Sequence, residues 1–225
     1  MQPRPCTHSN LRACHNGCKQ HLAWYATPSQ VYRFKIYTKT GDKGTSSLYN
    51  GQRKAKTDAV FTALGDVDEV NAHLGVVAAH CQEAAPPTDA HALVATQLAE
   101  IQARLLDVGS AIATPLDESS ARKVAVVTFD ANAATSLEEW IDDMDDQLPP
   151  LKSFILPSGG VAAAQLHVAR SVCRRAERAV VALGDDAVPQ DVRQFMNRLS
   201  DYLFTAARFV AFATGAPETT YQKAR

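Results

Sequence analysis

Val60, Phe61, Leu64, Val67, Val70, Leu74 and Val77 step along the chain by threes and fours, the spacing that lays apolar side chains on one stripe of an α-helix. The same step recurs in Leu93, Val94, Leu98, Ile101, Leu105, Val108 and Ile112, and again in Leu137, Trp140, Ile141, Met144 and Leu148. Two more stretches, from about 161 to 183 and from about 189 to 213, continue it, the last through Phe195, Leu199, Tyr202, Leu203, Ala206 and Phe209. Helix breakers fall between them: Ala84-Ala-Pro-Pro-Thr88, Pro115, Pro149-Pro150, Gly184 and Gly215. The spacing predicts a first helix over 58–82, a second that Asp89 caps and that ends before Pro115, and a third from near Asp130. Five long amphipathic helices bury their stripes only against one another, so the predicted fold is all-α, a five-helix bundle. Tyr37–Asp58 and Phe154–Gly160 read as loops, and 116–128 as a linker with a β-prone run at Val124–Phe129.

Composition narrows the function. The 225 residues are enough for one domain with a substantial core, and 46% hydrophobic with 21% charged residues is usual for a soluble globular chain. A net charge of -1 argues against a general nucleic-acid binder. No apolar run approaches the roughly 18 residues that span a bilayer. Cys81 and Cys173 fall within helical patterns and read as buried thiols of a reducing compartment. Cys14 and Cys18, with His8, His15 and His21 near them, fit no standard zinc-finger spacing. Residues 1–35 contain no Asp or Glu but carry Arg4, Arg12, Lys19, Arg33 and Lys35. Such a leader is expected of a transit peptide, which would put the protein in the mitochondrial matrix; a plain disordered extension would leave it cytoplasmic. The expected organisation is therefore a leader over 1–35, the helical domain over 36–215 and a C-terminal tail over 216–225.

Charge within the helices marks where chemistry can occur. Arg170, Arg174 and Arg178 stack at i, i+4 and i+8, with Glu177 beside them, while Val168, Ala169, Val172, Ala176, Ala179 and Val180 form the apolar back. A cationic stripe with one acid can grip a polyanion, since a guanidinium gives phosphate two parallel charge-assisted hydrogen bonds. It can equally be a salt-bridged face at a subunit contact. Thr38-Lys-Thr-Gly-Asp-Lys-Gly-Thr-Ser-Ser47 has the composition of a phosphate cradle, followed by the basic Arg53-Lys-Ala-Lys56, although it lacks the Walker A spacing. In the last helix Arg193, Asn197, Asp201 and Arg208 are expected on a polar stripe away from the core. Asp66, Asp68 and Glu69 interrupt the first helix and could hold the arginine stripe in place across a helix or subunit interface. Asp142, Asp143, Asp145 and Asp146 read as a solvated face. The Glu-x-x-His pairs of a di-metal bundle do not occur, and His73 and His167 read as edge or satisfied core residues. With no Ser–His–Asp or Cys–His arrangement evident, the chain offers binding and orientation more than nucleophilic side chains.

Five blocks taken together resemble the PduO-type ATP:cob(I)alamin adenosyltransferases: Tyr37–Ser47, Gly65–Asn71, Phe154–Gly160, Cys173–Arg178 and Asn197–Phe204, in order across residues 36–214. The resemblance implies a homotrimer of five-helix bundles with active sites at the subunit interfaces. It implies that the Co(I) centre of reduced cobalamin attacks the 5′ carbon of ATP, giving adenosylcobalamin and triphosphate. By matched position, Thr38, Lys39, Thr40, Gly41, Ser46, Ser47 and Lys56 would hold ATP from one subunit. Arg174, Arg175, Ala176, Glu177, Arg178 and Asn197 would hold it from the neighbour, with Mg2+ mainly on the phosphates. Asp68 matches the acid that pairs with Arg174. Phe154 matches the aromatic that displaces the lower axial ligand of cobalamin, giving a four-coordinate Co(II) that is easier to reduce. A reductase and a B12-dependent mutase are the implied partners, with no nucleic acid and no membrane. The competing expectations are another ATP-using transferase or phosphohydrolase, and a non-catalytic module that delivers nucleotide or cobalamin to a mutase.

Overall fold

The computed structural model describes residues 35–223. The expectations for the leader, including the Cys14 and Cys18 cluster, therefore lie outside the described residues apart from Lys35. The chain divides into a unit ending at Lys39 and a unit from Thr40 onward. In the first, residues 35–39 are exposed, and the Lys35 and Lys39 ammonium groups lie 6.0 and 5.9 Å from the Tyr37 ring centroid. Lys39 adopts φ 59, a left-handed conformation that costs a non-glycine residue about 1–2 kcal/mol.

The second unit is the bundle. Its helices are α1 (Ala59–Gln82), α2 (Asp89–Ile112), α3 (Ala121–Val126), α4 (Ala133–Asp145), α5 (Val161–Val181) and α6 (Gln190–Ala213). Two antiparallel pairs accompany them: β1 (Thr45–Ser47) with β2 (Arg53–Ala55), and β3 (Ile155–Leu156) with β4 (Thr219–Thr220). The five long helices are those that the periodicity predicts. Asp58 starts α1 by accepting from the Val60 amide at 3.0 Å. Thr88 starts α2 through a capping box in which His91 stands where Glu or Gln is usual. The His91 Nδ1 accepts from the Thr88 amide at 3.3 Å, and burial holds its pKa below the ordinary histidine value.

Four segments differ from expectation. Asp130 does not open α4; its carboxylate and carbonyl close a turn onto the amides of Asn132 and Ala133, and the helix begins at Ala133. Val124–Phe129 is not extended: Ala121-Arg-Lys favours a short helix, and none of α3 is buried. Only Phe129 reaches the core, with its ring edge against Phe195 at 5.3 Å. The Tyr37–Asp58 loop contains a hairpin, and the expected C-terminal tail contributes β4 to the 154–160 loop.

Helix α6 packs against α5, α4 and α2, and α1 bridges α5 and α2. Phe195, Met196, Leu199, Tyr202 and Leu203 are almost fully buried, as are Leu74, Leu98, Ile101, Leu105 and Leu166 on the facing helices. Leu93 and Val168, expected in apolar stripes, are exposed in the single chain. Arg208, expected on a polar face, is buried. The Tyr202 hydroxyl donates to Gln97 Oε1 at 2.9 Å in this core, and burial pushes its pKa well up. Tyr202→Phe leaves that buried oxygen without a donor and should lower the unfolding free energy by about 1–3 kcal/mol, read from a lower urea midpoint at unchanged m.

Candidate active site

The hairpin shapes the Thr/Gly/Lys segment. Gly44, at φ 77, donates to the Gly41 carbonyl at 3.1 Å and accepts from the Lys56 amide at 2.8 Å, which turns the loop back on itself. Lys56 lies over Gly41 so closely that a Cβ there would be 3.1 Å from its Nζ. Arg53 clasps the loop: its guanidinium donates to the Thr40 carbonyl at 2.8 Å, to Thr45 Oγ1 at 2.7 Å and to Ser47 Oγ at 3.0 Å. Ser46 is half-buried opposite Lys54, whereas Ser47 and Lys56 are exposed. The hairpin is seated on the bundle by the Tyr49 amide, which donates to the Ala113 carbonyl, by Lys54–Glu118 at 2.8 Å, and by Lys123, which donates to the Asn50 carbonyl. The hydrogen bond to Glu118 holds the Lys54 pKa above the ordinary lysine value.

The arginine stripe divides between structure and solvent. Arg175 crosses to α1, where it bonds Asp66 Oδ1 at 3.2 Å and Glu69. Arg174 and Arg178 are exposed and make no ion pair among the described residues. Glu177 accepts from Asn197 Nδ2 at 2.7 Å, joining α5 to α6 in a polar cleft of about 530 Å³ that Arg193 and Asp185 also line. Arg170 stacks on Phe204 with its Cζ 5.9 Å from the ring centroid. Its Nε is buried without a hydrogen-bond partner among the described residues.

Asp68 does not meet Arg174 within one chain. It is exposed, pairs with no cation among the described residues, and borders an apolar groove of about 340 Å³ between α1 and α2 with Tyr49, Leu64, Asn71 and Leu106. Phe154 is 82% exposed beside the short β3–β4 pair. Gly159 lets that loop approach α6, since at φ 87 an added Cβ would stand 2.5 Å from the Ala211 Cβ. No hydrogen bond or ion pair joins hairpin residues 45–56 to α5 or α6 among the described residues.

The arrangement is therefore a hydroxyl- and lysine-rich hairpin, an open arginine ledge and an exposed aromatic, carried on separate elements of the chain. The sequence profile of cobalamin adenosyltransferases matches residues 36–210. This chain belongs to the cobalamin adenosyltransferase family. Corrinoid adenosyltransferase MMAB of Bos taurus is 47% identical over 190 residues, covering 84% of this chain and 76% of that protein. The cobalamin adenosyltransferase of Cupriavidus metallidurans is 39% identical, covering 85% and 96%. Among solved structures, a variant PduO-type ATP:corrinoid adenosyltransferase from Lactobacillus reuteri, complexed with cobalamin and ATP, superposes with a TM-score of 0.74 at 37% identity. That match covers 84% of this chain and all of that one.

Within this family member, sequence reasoning found the charged residues but not the scaffolding that orients them. Arg53 was legible only as part of a basic patch, and its three contacts depend on how tightly the hairpin folds. Lys123 and Glu118 carry no signal beyond charge. His167, read as an edge or satisfied core residue, is buried, and its Nδ1 has no hydrogen-bond partner among the described residues. It packs against Phe204, and burial, assisted by the Arg170 charge, holds its pKa below the ordinary value. Burial pushes the Cys81 thiol up to about 11 and that of Cys173 further still, so both stay protonated.

His167 and His91 bind fewer protons folded than unfolded once the pH falls below the free-histidine pKa of about 6.5. Stability should therefore fall from pH 7 to pH 5, and less steeply in His167→Gln, as urea titrations across that range would read. Equal slopes would show that His167 is not held neutral.

Proposed function

We propose that this protein transfers the 5′-deoxyadenosyl group of ATP to the cobalt of cob(I)alamin, giving adenosylcobalamin and triphosphate. The observation that carries the reading is the open ledge of Arg174 and Arg178 beside the Glu177–Asn197 bond, in a member of this family. Unspent guanidiniums there suit a triphosphate, the leaving group on which negative charge builds as C5′ departs. The cobalt supplies the electron pair for the new Co–C bond, and the C5′–O pair leaves with triphosphate. The protein has only to bind, align and neutralise.

In this reading Thr38, Lys39, Thr40, Gly41, Ser46, Ser47 and Lys56 hold ATP from one subunit, and Arg174, Arg175, Ala176, Glu177, Arg178 and Asn197 hold it from the next. That no hydrogen bond or ion pair joins the hairpin to α5 among the described residues supports a site completed by a second copy, which a homotrimer supplies. So does the apolar α1–α2 groove, which leaves Leu106 exposed and Asp68 unpaired at its edge. Asp68 then pairs with Arg174 of a neighbouring copy. Arg175 has a double role, because its bonds to Asp66 and Glu69 set the pitch of the ledge.

Phe154 meets the lower face of the corrinoid and displaces its axial ligand. Its exposure supports this role, since an aromatic ring held out in water is available to a flat apolar ligand. Mg2+ rides on the phosphates: no group of three or more His, Cys, Asp or Glu side chains is placed to hold a metal ion among the described residues, and Mg2+ commonly binds through substrate phosphates. Residues 1–35 form a leader to the 36–215 domain and direct import to the mitochondrial matrix. A reductase supplies electrons and a B12-dependent mutase receives the product. No described helix is long and apolar enough to cross a membrane.

An anaerobic assay with ATP, Mg2+ and chemically reduced cob(I)alamin should show enzyme-dependent loss of the Co(I) absorbance with one triphosphate per turnover. Binding of both ligands without turnover would instead make the protein a delivery module, and release of phosphate or pyrophosphate would make it a different ATP-using enzyme. Arg174→Ala should lower kcat/KM about 10²–10³-fold, the range for removing one charge-stabilising group. Phe154→Ala should reduce formation of four-coordinate Co(II), read by electron paramagnetic resonance, more than it weakens ATP binding.

A further inference from the structure

Arg208 is 5% exposed in α6, between Ala207 and Phe209 on a face where most neighbours are apolar. A guanidinium held out of water is costly unless it is paired, so its partners indicate its purpose. Nη2 donates to the Pro149 carbonyl at 2.8 Å, just beyond α4, and Nη1 lies 3.7 Å from Oδ1 of Asp145, the last residue of α4. Nε faces Glu218 Oε1 at 3.4 Å; neither atom has a hydrogen-bond partner among the described residues, so the two buried atoms answer each other as an ion pair.

Glu218 is the last residue before β4. From there the chain runs along the loop that carries Phe154: Thr219 pairs with Leu156, and Thr220 with Ile155. The Tyr221 amide donates to the Phe154 carbonyl at 2.8 Å, and the Thr219 amide donates to Ser158 Oγ at 2.8 Å. A ladder this short does not hold itself together in water. A cavity of about 310 Å³ lies beside its start, lined by Leu148, Pro149, Phe212 and Pro217–Glu218. The ionic contact with Arg208 ties the start of this ladder to the bundle, beside the Ala216 amide, which donates to the Ala211 carbonyl at 3.0 Å.

We propose that Arg208 is a positioning residue for the corrinoid side of the reaction. Through Glu218 it fixes the 218–221 strap, and the strap fixes the backbone that presents Phe154. This rests on the role given to Phe154 under the proposed function.

Full-length Arg208→Gln, Glu218→Gln and Thr219→Pro are compared with the parent protein by hydrogen exchange of the 152–160 segment and by separate KM values for cob(I)alamin and ATP. Thr219→Pro removes one strap amide without touching the core, so it and Glu218→Gln decide the matter if Arg208→Gln fails to fold. Exchange of 152–160 should quicken about tenfold and the corrinoid KM rise about fivefold or more, with the ATP KM within about twofold of the parent. A purely structural role would lower Tm and shift both KM values together. Unchanged exchange in Glu218→Gln and Thr219→Pro would overturn the proposal, as would faster exchange with unchanged corrinoid KM. In that last case Phe154→Ala locates the fault: impaired corrinoid handling there puts it in the strap, and none puts it in the role of Phe154.

Discussion

The burial of α6 on most of its circumference is the constraint from which the rest follows. Leu199, Tyr202, Leu203, Ala206 and Val210 have no face turned to water, so the polar groups that share the helix must find partners inside the protein. Tyr202 finds Gln97 on α2, Ser200 and Thr205 bond back to the carbonyls of Asn197 and Asp201, and Arg208 reaches Pro149 beyond α4. These bonds fix the rotation of α6 more narrowly than apolar packing alone does. The same rotation sets Asn197 against Glu177 and aims Arg208 at the C-terminal segment.

Helix α5 shows how one arginine-rich segment serves two purposes. Arg175, facing α1, is spent on Asp66 and Glu69; Arg174 and Arg178 are exposed and make no ion pair among the described residues. An exposed ion pair such as Arg175 makes with α1 contributes little stability, typically below about 1 kcal/mol, so its value is in orientation. The ledge beside it is placed by a helix whose back, through Ala169, Val172, Cys173, Ala176 and Val180, is locked into the core.

Much of this was legible in the sequence because it is local. A helix stripe is fixed by spacing within about two turns, and a cap by residues three apart, so α1, α2, α5 and α6 fall where periodicity and breakers put them. The five motif blocks carried the family and the chemical class. What failed was local signal overruled by neighbours: β-branched Val124, Val126 and Val127 found no strand to pair with, and Asp130 closed a turn ahead of its helix.

By itself, then, the sequence determined a helical bundle, its breakpoints, the residue types of an anion-binding site and the family to which those residues belong. Only the tertiary structure decided which arginines are spent and which stay open, that Arg208 is buried, and that Thr219–Thr220 form a strand beside Phe154. The reason is geometric. Arg175 and Asp66 are 109 residues apart and Arg208 and Pro149 are 59 apart, so whether they meet depends on the rotation and offset of packed helices. Spacing along a single helix does not encode those quantities.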